Sequence, residues 1–374
     1  MNNNDNSAPK QKVVIVGAGR TGLAIADQLS ASQRYEVILV DPVDEAKWNA
    51  RERGFNVEDI DGTDSGAMKK LLNNVQLVVV SAPDFVAEYV VKVVLDCGCH
   101  YIDVSENTIL LDKFKNEMLN ATQSFVPQCG LAPGYMTSYV SSQLKDITFD
   151  AEVQIYVGVL PKQKTNRLGY GNIWGIGGLM TEYTSQCKAI TMGEEALIEP
   201  LTEYETLRID GVNYEAFTTS GSIDELVDLH KGKLKKLVFK TLRYEGHLDY
   251  IQFLLDDLKL DERHKQFESL LLNGLPLMDR DQVIVGIVVN SSGNVSKGQC
   301  LSEKSQFNFF PSTENKEGKS TSAISMISAA HVCCVIDMVC SSRAPHTGLL
   351  LHNEIELDML EQSHFYASLN VENL

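Results

Sequence analysis

From Lys12 to about Pro127, short continuous apolar runs alternate with stretches whose apolar residues recur at helical spacing. KVVIVGAG is followed by TGLAIADQLSAS, YEVILVDP by DEAKWNARERG, and FNVEDI by SGAMKKLLNN. VQLVVVSAP, DFVAEYVVKVVLDCG, HYIDVSE, DKFKNEMLNATQ and SFVPQ continue the alternation. A run such as VQLVVV has no polar face, which marks a strand covered on both sides, and the intervening helices are long enough to act as crossovers. The pattern predicts an α/β fold built on a Rossmann-like, doubly wound parallel sheet.

Beyond Gly134 the period changes. DAEVQIYVGVLP, TEYETLRIDGVNYEAFT, KKLVFKTLRY and QVIVGIVVNSSGNVSKGQ alternate apolar and polar positions as antiparallel strands do. Ser-Gly-Asn inside the last of these predicts a hairpin turn. The expected organisation is a first domain over residues 1–130 and a second, α+β domain over 131–319, with 320–374 a candidate return to the first domain. The helix-like run SAISMISAAHVCCVIDMV opens that last segment, and the polar leader MNNNDNSAPKQK is expected to be a floppy tail. A chain of 374 residues suits two cores better than one.

Composition adds exclusions more than it adds assignments. With 44% hydrophobic and 22% charged residues the chain is ordinary globular material. Fifty acidic residues against 33 basic ones give a net charge of -17, which repels phosphate backbones and anionic lipid and argues against nucleic acid or membrane as partner. No apolar leader follows the first methionine and no apolar run of about 18 residues stands out, so neither a signal peptide nor a membrane span is expected and the chain is read as cytoplasmic. Eight cysteines, Cys97, Cys99, Cys129, Cys187, Cys300, Cys333, Cys334 and Cys340, show no CxxC spacing. They are expected to be reduced and mostly buried, DCGCH reads as a helix-to-strand junction, and no metal site is expected.

The chemistry-bearing motif is VVIVGAGRTG, where Gly17, Gly19 and Gly22 are spaced GxGxxG directly between an apolar strand and an amphipathic helix. Gly17 allows a tight turn, Gly19 lets the backbone approach a pyrophosphate, and Gly22 lets helix and sheet pack closely. Arg20 and Thr21 sit among them at the helix start, whose free N–H groups favour an anion. Asp41 ends the second strand nineteen residues after Gly22, where a carboxylate accepts hydrogen bonds from both ribose hydroxyls of an adenosine. It repels a 2′-phosphate, and neither Pro42 nor Val43 offers a guanidinium to bind one, so NAD is favoured over NADP. Asp61 either faces the adenine or is an exposed loop residue. Ser81, Ala82 and Pro83 follow the fourth strand, small enough to leave room for the nicotinamide ribose; Asp103 and Ser105 end the fifth, as functional or as turn residues.

CGLAPGYMTSYVSSQL, from Cys129 to Leu144, resembles the GLAPG or GLDPG turn and following helix of the saccharopine dehydrogenase and lysine 6-dehydrogenase family. TLRYEGHLDYIQFL, with Arg243, Tyr244, Gly246 and His247, resembles that family's TLRYPGH segment. IYVGVLPK, the Trp174 region ending in GLMTEY, and NYEAFTTSG are similar to further landmarks in the same order. The resemblance runs from Lys12 to about Leu258 and is nearest to the lysine 6-dehydrogenase branch. It implies an NAD(P)-linked oxidoreductase acting on a carbon–nitrogen bond of an amino acid, with a Rossmann-like domain and a second domain that closes the substrate cleft and supports a homodimer. The chain departs from the family where TWS becomes Ile173, Trp174 and Gly175, where the proline of TLRYPGH becomes Glu245, and at Gln128.

Oxidising an amine requires a neutral nitrogen, and so a base. Candidates in the matching segments are His247 and Glu182, each with a structural alternative as helix-start residue or solvated charge. Arg243 is the candidate for a bidentate grip on the substrate carboxylate. Tyr135 and Trp174 are candidate pocket residues or core aromatics. Oxidative deamination of lysine to its semialdehyde, saccharopine-type chemistry, and a catalytically silent NAD-binding sensor are the competing readings.

Overall fold

The computed structural model describes residues 9–106, 108–145, 147, 150–221, 223–291, 302–314 and 320–369. Most of the polar leader, Cys300 and the Ser-Gly-Asn turn lie outside the described residues. The chain divides into two compact units, Met1–Gly130 with Ser328–Tyr366, and Leu131–Ile327 with Ala367–Leu374.

In the first unit, β1 (Gln11–Val16), β2 (Tyr35–Val40), β3 (Asn56–Glu58), β4 (Leu77–Val80), β5 (His100–Asp103) and β6 (Ser124–Val126) form a parallel sheet in the order β6-β5-β4-β1-β2-β3. The short strand Gly348–Leu349 extends it beside β6. Helices α1 (Arg20–Ala31), α2 (Asp44–Glu52), α3 (Ser65–Leu71), α4 (Asp84–Cys97) and α5 (Thr108–Leu119) are the crossovers. All four residues of β4 are buried, which explains its unbroken apolar sequence. Val14, Val16, Val78, Val80, Val90, Val94, Tyr101 and Phe125 belong to one continuous core. The strand order reverses between β1 and β4, the switch point at whose carboxyl ends ligands of this fold class bind.

In the second unit, which also holds α6 (Tyr135–Leu144), the sheet is built from β7 (Glu152–Pro161), β8 (Cys187–Thr191), β9 (Glu194–Ile198), β10 (Glu205–Ile209), β11 (Val212–Thr218), β12 (Lys236–Tyr244), β13 (Asp281–Ser291) and β14 (Ser302–Pro311). The order is β10-β11-β12-β7-β13-β14, with the β8–β9 hairpin attached to β12. The sequence pattern predicts antiparallel pairing throughout; β7 and β12 instead run parallel, over Glu152–Val157 and Lys236–Thr241. Apolar alternation reports which face is buried and is blind to direction. Between these two strands the chain passes α7 (Ile176–Thr184), two hairpins and α8 (Asp224–His230), enough to return on the starting side. A further helix, α9 (His247–Gln252), follows β12 directly.

The 18-residue helix Ala323–Cys340 corrects a second expectation. Its mean hydropathy of 1.9 makes it long and apolar enough to cross a membrane, because Ala, Cys, Val and Ile outweigh its interspersed Ser and His. Within the protein it is 89% buried, and a helix covered on all sides is apolar all round for that reason. Its acidic residue Asp337 is 2% exposed and meets Arg34 and Arg343, each at 2.8 Å.

Candidate functional site

The glycine loop is held by backbone geometry. Gly17 has φ +102, its N–H donates to Val40 O at 2.8 Å, and a Cβ there would lie 2.2 Å from Ser81 O. A Cβ on Gly22 would lie 2.0 Å from Gly17 O, so neither position admits a side chain. Gly19 is different, with nothing within 4 Å of its ideal Cβ. It begins α1, whose first turn carries no acidic residue and no side-chain cap. A positive helix end, open space at Gly19 and two glycines required by close packing fit a dinucleotide pyrophosphate.

Two substitutions separate these roles. Gly22→Ala is expected to lower Tm, by an overpacking cost of about 1–3 kcal/mol, whereas Gly19→Ala leaves Tm in place and weakens dinucleotide binding. Thermal unfolding and cofactor titration of both variants check this, and equal Tm values would refute the packing argument.

Asp41 is 9% exposed and already hydrogen-bonded within the loop, Oδ2 accepting from Ala18 N and Oδ1 from Val43 N, both at 2.8 Å. Its carboxylate thus braces the glycine turn as well as marking the end of β2. Asp61 is exposed, and its Oδ1 accepts from Thr63 N and Thr63 Oγ1, a local turn. Ser81 donates its amide to Val16 O at 2.8 Å against Gly17, Ala82 follows it half-buried, and Pro83 caps α4. Arg20 and Thr21 open α1, exposed and half-buried. Asp103 is fully buried, with Oδ1 accepting from Ser105 N, Ser105 Oγ and Gln128 N.

In the second unit one network gathers Glu182, Arg243, His247 and Trp174. Thr241 and Arg243, two apart on β12, share a strand face. The Arg243 guanidinium is 1% exposed: Nε donates to Tyr183 Oη at 2.9 Å, Nη1 to Thr241 Oγ1 at 2.5 Å and Leu242 O at 3.0 Å, and Nη2 to Glu182 Oε2 at 3.2 Å. It stacks 4.8 Å from the Tyr170 ring centroid, and Trp174 Nε1 donates to Tyr170 Oη at 2.8 Å. His247 Nδ1 is 2.9 Å from Leu168 O, which can only accept, so the ring proton sits on Nδ1 and Nε2 accepts from Tyr183 Oη at 2.9 Å. The bonds therefore run in one direction from Arg243 through Tyr183 to His247.

This distinguishes the two candidate bases. His247 is 1% exposed with both nitrogens engaged, and burial followed by the Arg243 charge pulls its pKa down to about 3. The Glu182 side chain keeps 21% exposure, and burial, opposed by Arg243, pushes its carboxyl up to about 7. Four of the five guanidinium N–H groups of Arg243 already have partners, so a two-pronged grip on a substrate requires Glu182 to yield its place. Tyr135 stands outside the network: 2% exposed, it stacks on Tyr139 and meets Phe310 edge-on. Sequence reasoning missed Tyr170, Tyr183 and Thr241, and also Glu215, which accepts from Gly246 N and Leu248 N and holds the turn into α9. The glutamate inside the otherwise apolar run YEAF of β11 was the available signal for the last of these contacts.

Sheet order and glycine loop define a dinucleotide-binding α/β protein with a separate mixed-sheet unit. Residues 13–127 match the saccharopine dehydrogenase NADP binding domain and residues 130–361 the saccharopine dehydrogenase C-terminal domain. The chain belongs to the saccharopine dehydrogenase family of NAD(P)-dependent oxidoreductases. Among solved structures, apo saccharopine dehydrogenase (L-Glu forming) from Saccharomyces cerevisiae is similar at 16% identity, with a TM-score of 0.76 over 94% of this chain and 95% of that one. C. glutamicum DAP dehydrogenase in complex with DAP is similar at 10% identity and a TM-score of 0.50, over 97% of this chain and 99% of that one. At these identities both speak for the fold.

Proposed function

We propose that the chain is an NAD-dependent dehydrogenase that oxidises the CH–NH bond of an amino acid, L-lysine first among substrates. The observation that carries this reading is a carboxylate, Glu182, that keeps 21% exposure beside Arg243 while burial pushes its pKa up to about 7. A base titrating near the working pH is matched to removing a proton from an ammonium group. Glu182 accepts that proton, Arg243 fixes the carboxylate in position, and Tyr183 with His247 fixes Arg243. A bound nicotinamide ring supplies the hydride acceptor, and the chain's glycine loop around Gly17, Gly19 and Gly22 is what would hold its dinucleotide. Loss of proton and hydride from the substrate leaves an iminium that water hydrolyses to the semialdehyde and ammonium.

Saccharopine-type chemistry is the rival reading, supported by the family descriptions. Its substrate carries three carboxylates and asks for several guanidinium partners. Arg263 bonds carbonyls of its own turn, Arg280 pairs with Glu314, and Arg167 and Arg208 are exposed. Among the described residues of the second unit, Arg243 is the guanidinium placed against Glu182, which favours the smaller substrate. A panel of amino acids and saccharopine, assayed for reduced cofactor with NAD and NADP in parallel, tests the proposal. NADH formation with lysine above the others is expected. Faster turnover of saccharopine would replace the substrate, tighter binding of NADP than NAD would remove the cofactor preference drawn from Asp41, and binding without turnover would favour a silent sensor.

A further inference from the structure

The first unit holds a second cluster, sharing no residue with the glycine loop or the Arg243 network. Cys129 in the loop after β6, His331 in the helix Ala323–Cys340, and His352 at the start of the single turn His352–Glu354 are each 0% exposed. One ligating atom from each lies within 4.8 Å of the other two. Nε2 of His331 and Nδ1 of His352 are 3.4 Å apart. His352 Nε2 lies 3.0 Å from Pro127 O, which can only accept, so its proton is on Nε2 and the Nδ1 lone pair faces His331. A carbonyl on the far nitrogen is how proteins orient a metal-binding imidazole and fix its tautomer. Moving the His331 proton to its own Nδ1 turns a second lone pair into the same gap.

We propose that Cys129, His331 and His352 form a three-coordinate site for a thiophilic d10 metal ion, Cu(I) ahead of Zn(II). Binding breaks the Cys129 S–H bond, forms one sulfur–metal and two nitrogen–metal bonds, and releases one proton to solvent; no electron moves. Thiolate and imidazoles suit either ion. Burial chooses between them, because Cu(I) and one thiolate cancel in charge and three ligands satisfy that ion. Zn(II) would leave a net positive charge in a dry interior and a fourth position to fill. The ion would staple the loop after β6, the long helix and the His352 turn together, three segments remote in the chain.

The test titrates metal-free, folded wild-type chain anaerobically with chelator-buffered Cu(I), and separately with Zn(II). Expected are one Cu(I) per chain, one proton released, and a rise of several degrees in Tm. Cys129→Ser should abolish the uptake, while Cys97→Ser, which removes a half-exposed thiol elsewhere, should retain it. X-ray absorption of the wild-type complex should show one sulfur and two imidazole nitrogens. Tighter binding of Zn(II) overturns the choice of ion. No stoichiometric uptake of either ion, or a coordination shell without sulfur, overturns the site, and both are decided on wild type even if Cys129→Ser fails to fold.

Discussion

Glu182→Gln is expected to cut kcat for amine oxidation by roughly 10²–10⁴-fold, the usual contribution of a positioned general base, while leaving dinucleotide affinity unchanged. Glutamine keeps the shape and can still accept from Arg243 Nη2, but it takes no proton. The pH profile gives the sharper readout. A carboxylate must be ionised to act as base, so wild-type activity should be low on the acid side and rise through about pH 7, where burial has moved Glu182. The variant should lose that limb. Stability runs the other way: a carboxyl with a raised folded pKa contributes stability that is fully present below its unfolded value of 4.5 and is lost as pH rises through about 7. Glu182→Gln should therefore lack that loss, its unfolding free energy changing less than that of wild type between pH 5 and pH 8, while being far less active. An active Gln variant with an unchanged pH profile would remove Glu182 from the chemistry.

Arg243→Lys is expected to cost kcat/KM on the order of 2 to 4 kcal/mol, the usual loss when one member of a hydrogen-bonded charge pair is replaced. An ammonium cannot at once reach Tyr183, Thr241, Leu242 and Glu182, which the planar guanidinium does. With the partner charge displaced, the attraction that holds the Glu182 pKa down weakens, and the acid limb should move above pH 7. NAD affinity is expected to stay near wild type, because the residue belongs to the second unit and the glycine loop to the first. The lysine variant is preferred to Arg243→Ala, which leaves Glu182 beside an unfilled, uncharged space and risks several kcal/mol of stability. A folded Arg243→Lys protein with unchanged kcat/KM and pH profile would show that Arg243 serves the fold alone.

Both experiments concern contacts that no stretch of sequence displays. Arg243 stands in KKLVFKTLRY, and its partners Tyr183 and Glu182 lie 60 and 61 residues earlier on α7. Sequence reasoning could name Arg243, Glu182 and His247 as candidates, yet ranking the two bases required knowing which kept an accessible atom. The hydrogen bonds of His247 to Leu168 and Tyr183 supplied that. Cys129, His331 and His352 are more distant still, and without short-range spacing they read as three unrelated buried residues.

The sequence by itself determined the parallel sheet of the first unit and its glycine loop. Strands buried on both faces must be apolar throughout, crossover helices need length, and Gly17 and Gly22 are demanded by backbone distances that admit no side chain. Those are local requirements, and local composition records them. Only the tertiary structure decided the parallel pairing of β7 with β12, the burial of the helix Ala323–Cys340, and the pairing of Glu182 with Arg243. Strand direction depends on the path between strands, and a carboxyl's pKa depends on what surrounds it. Residues far apart in the chain set both, and periodicity carries no information about them.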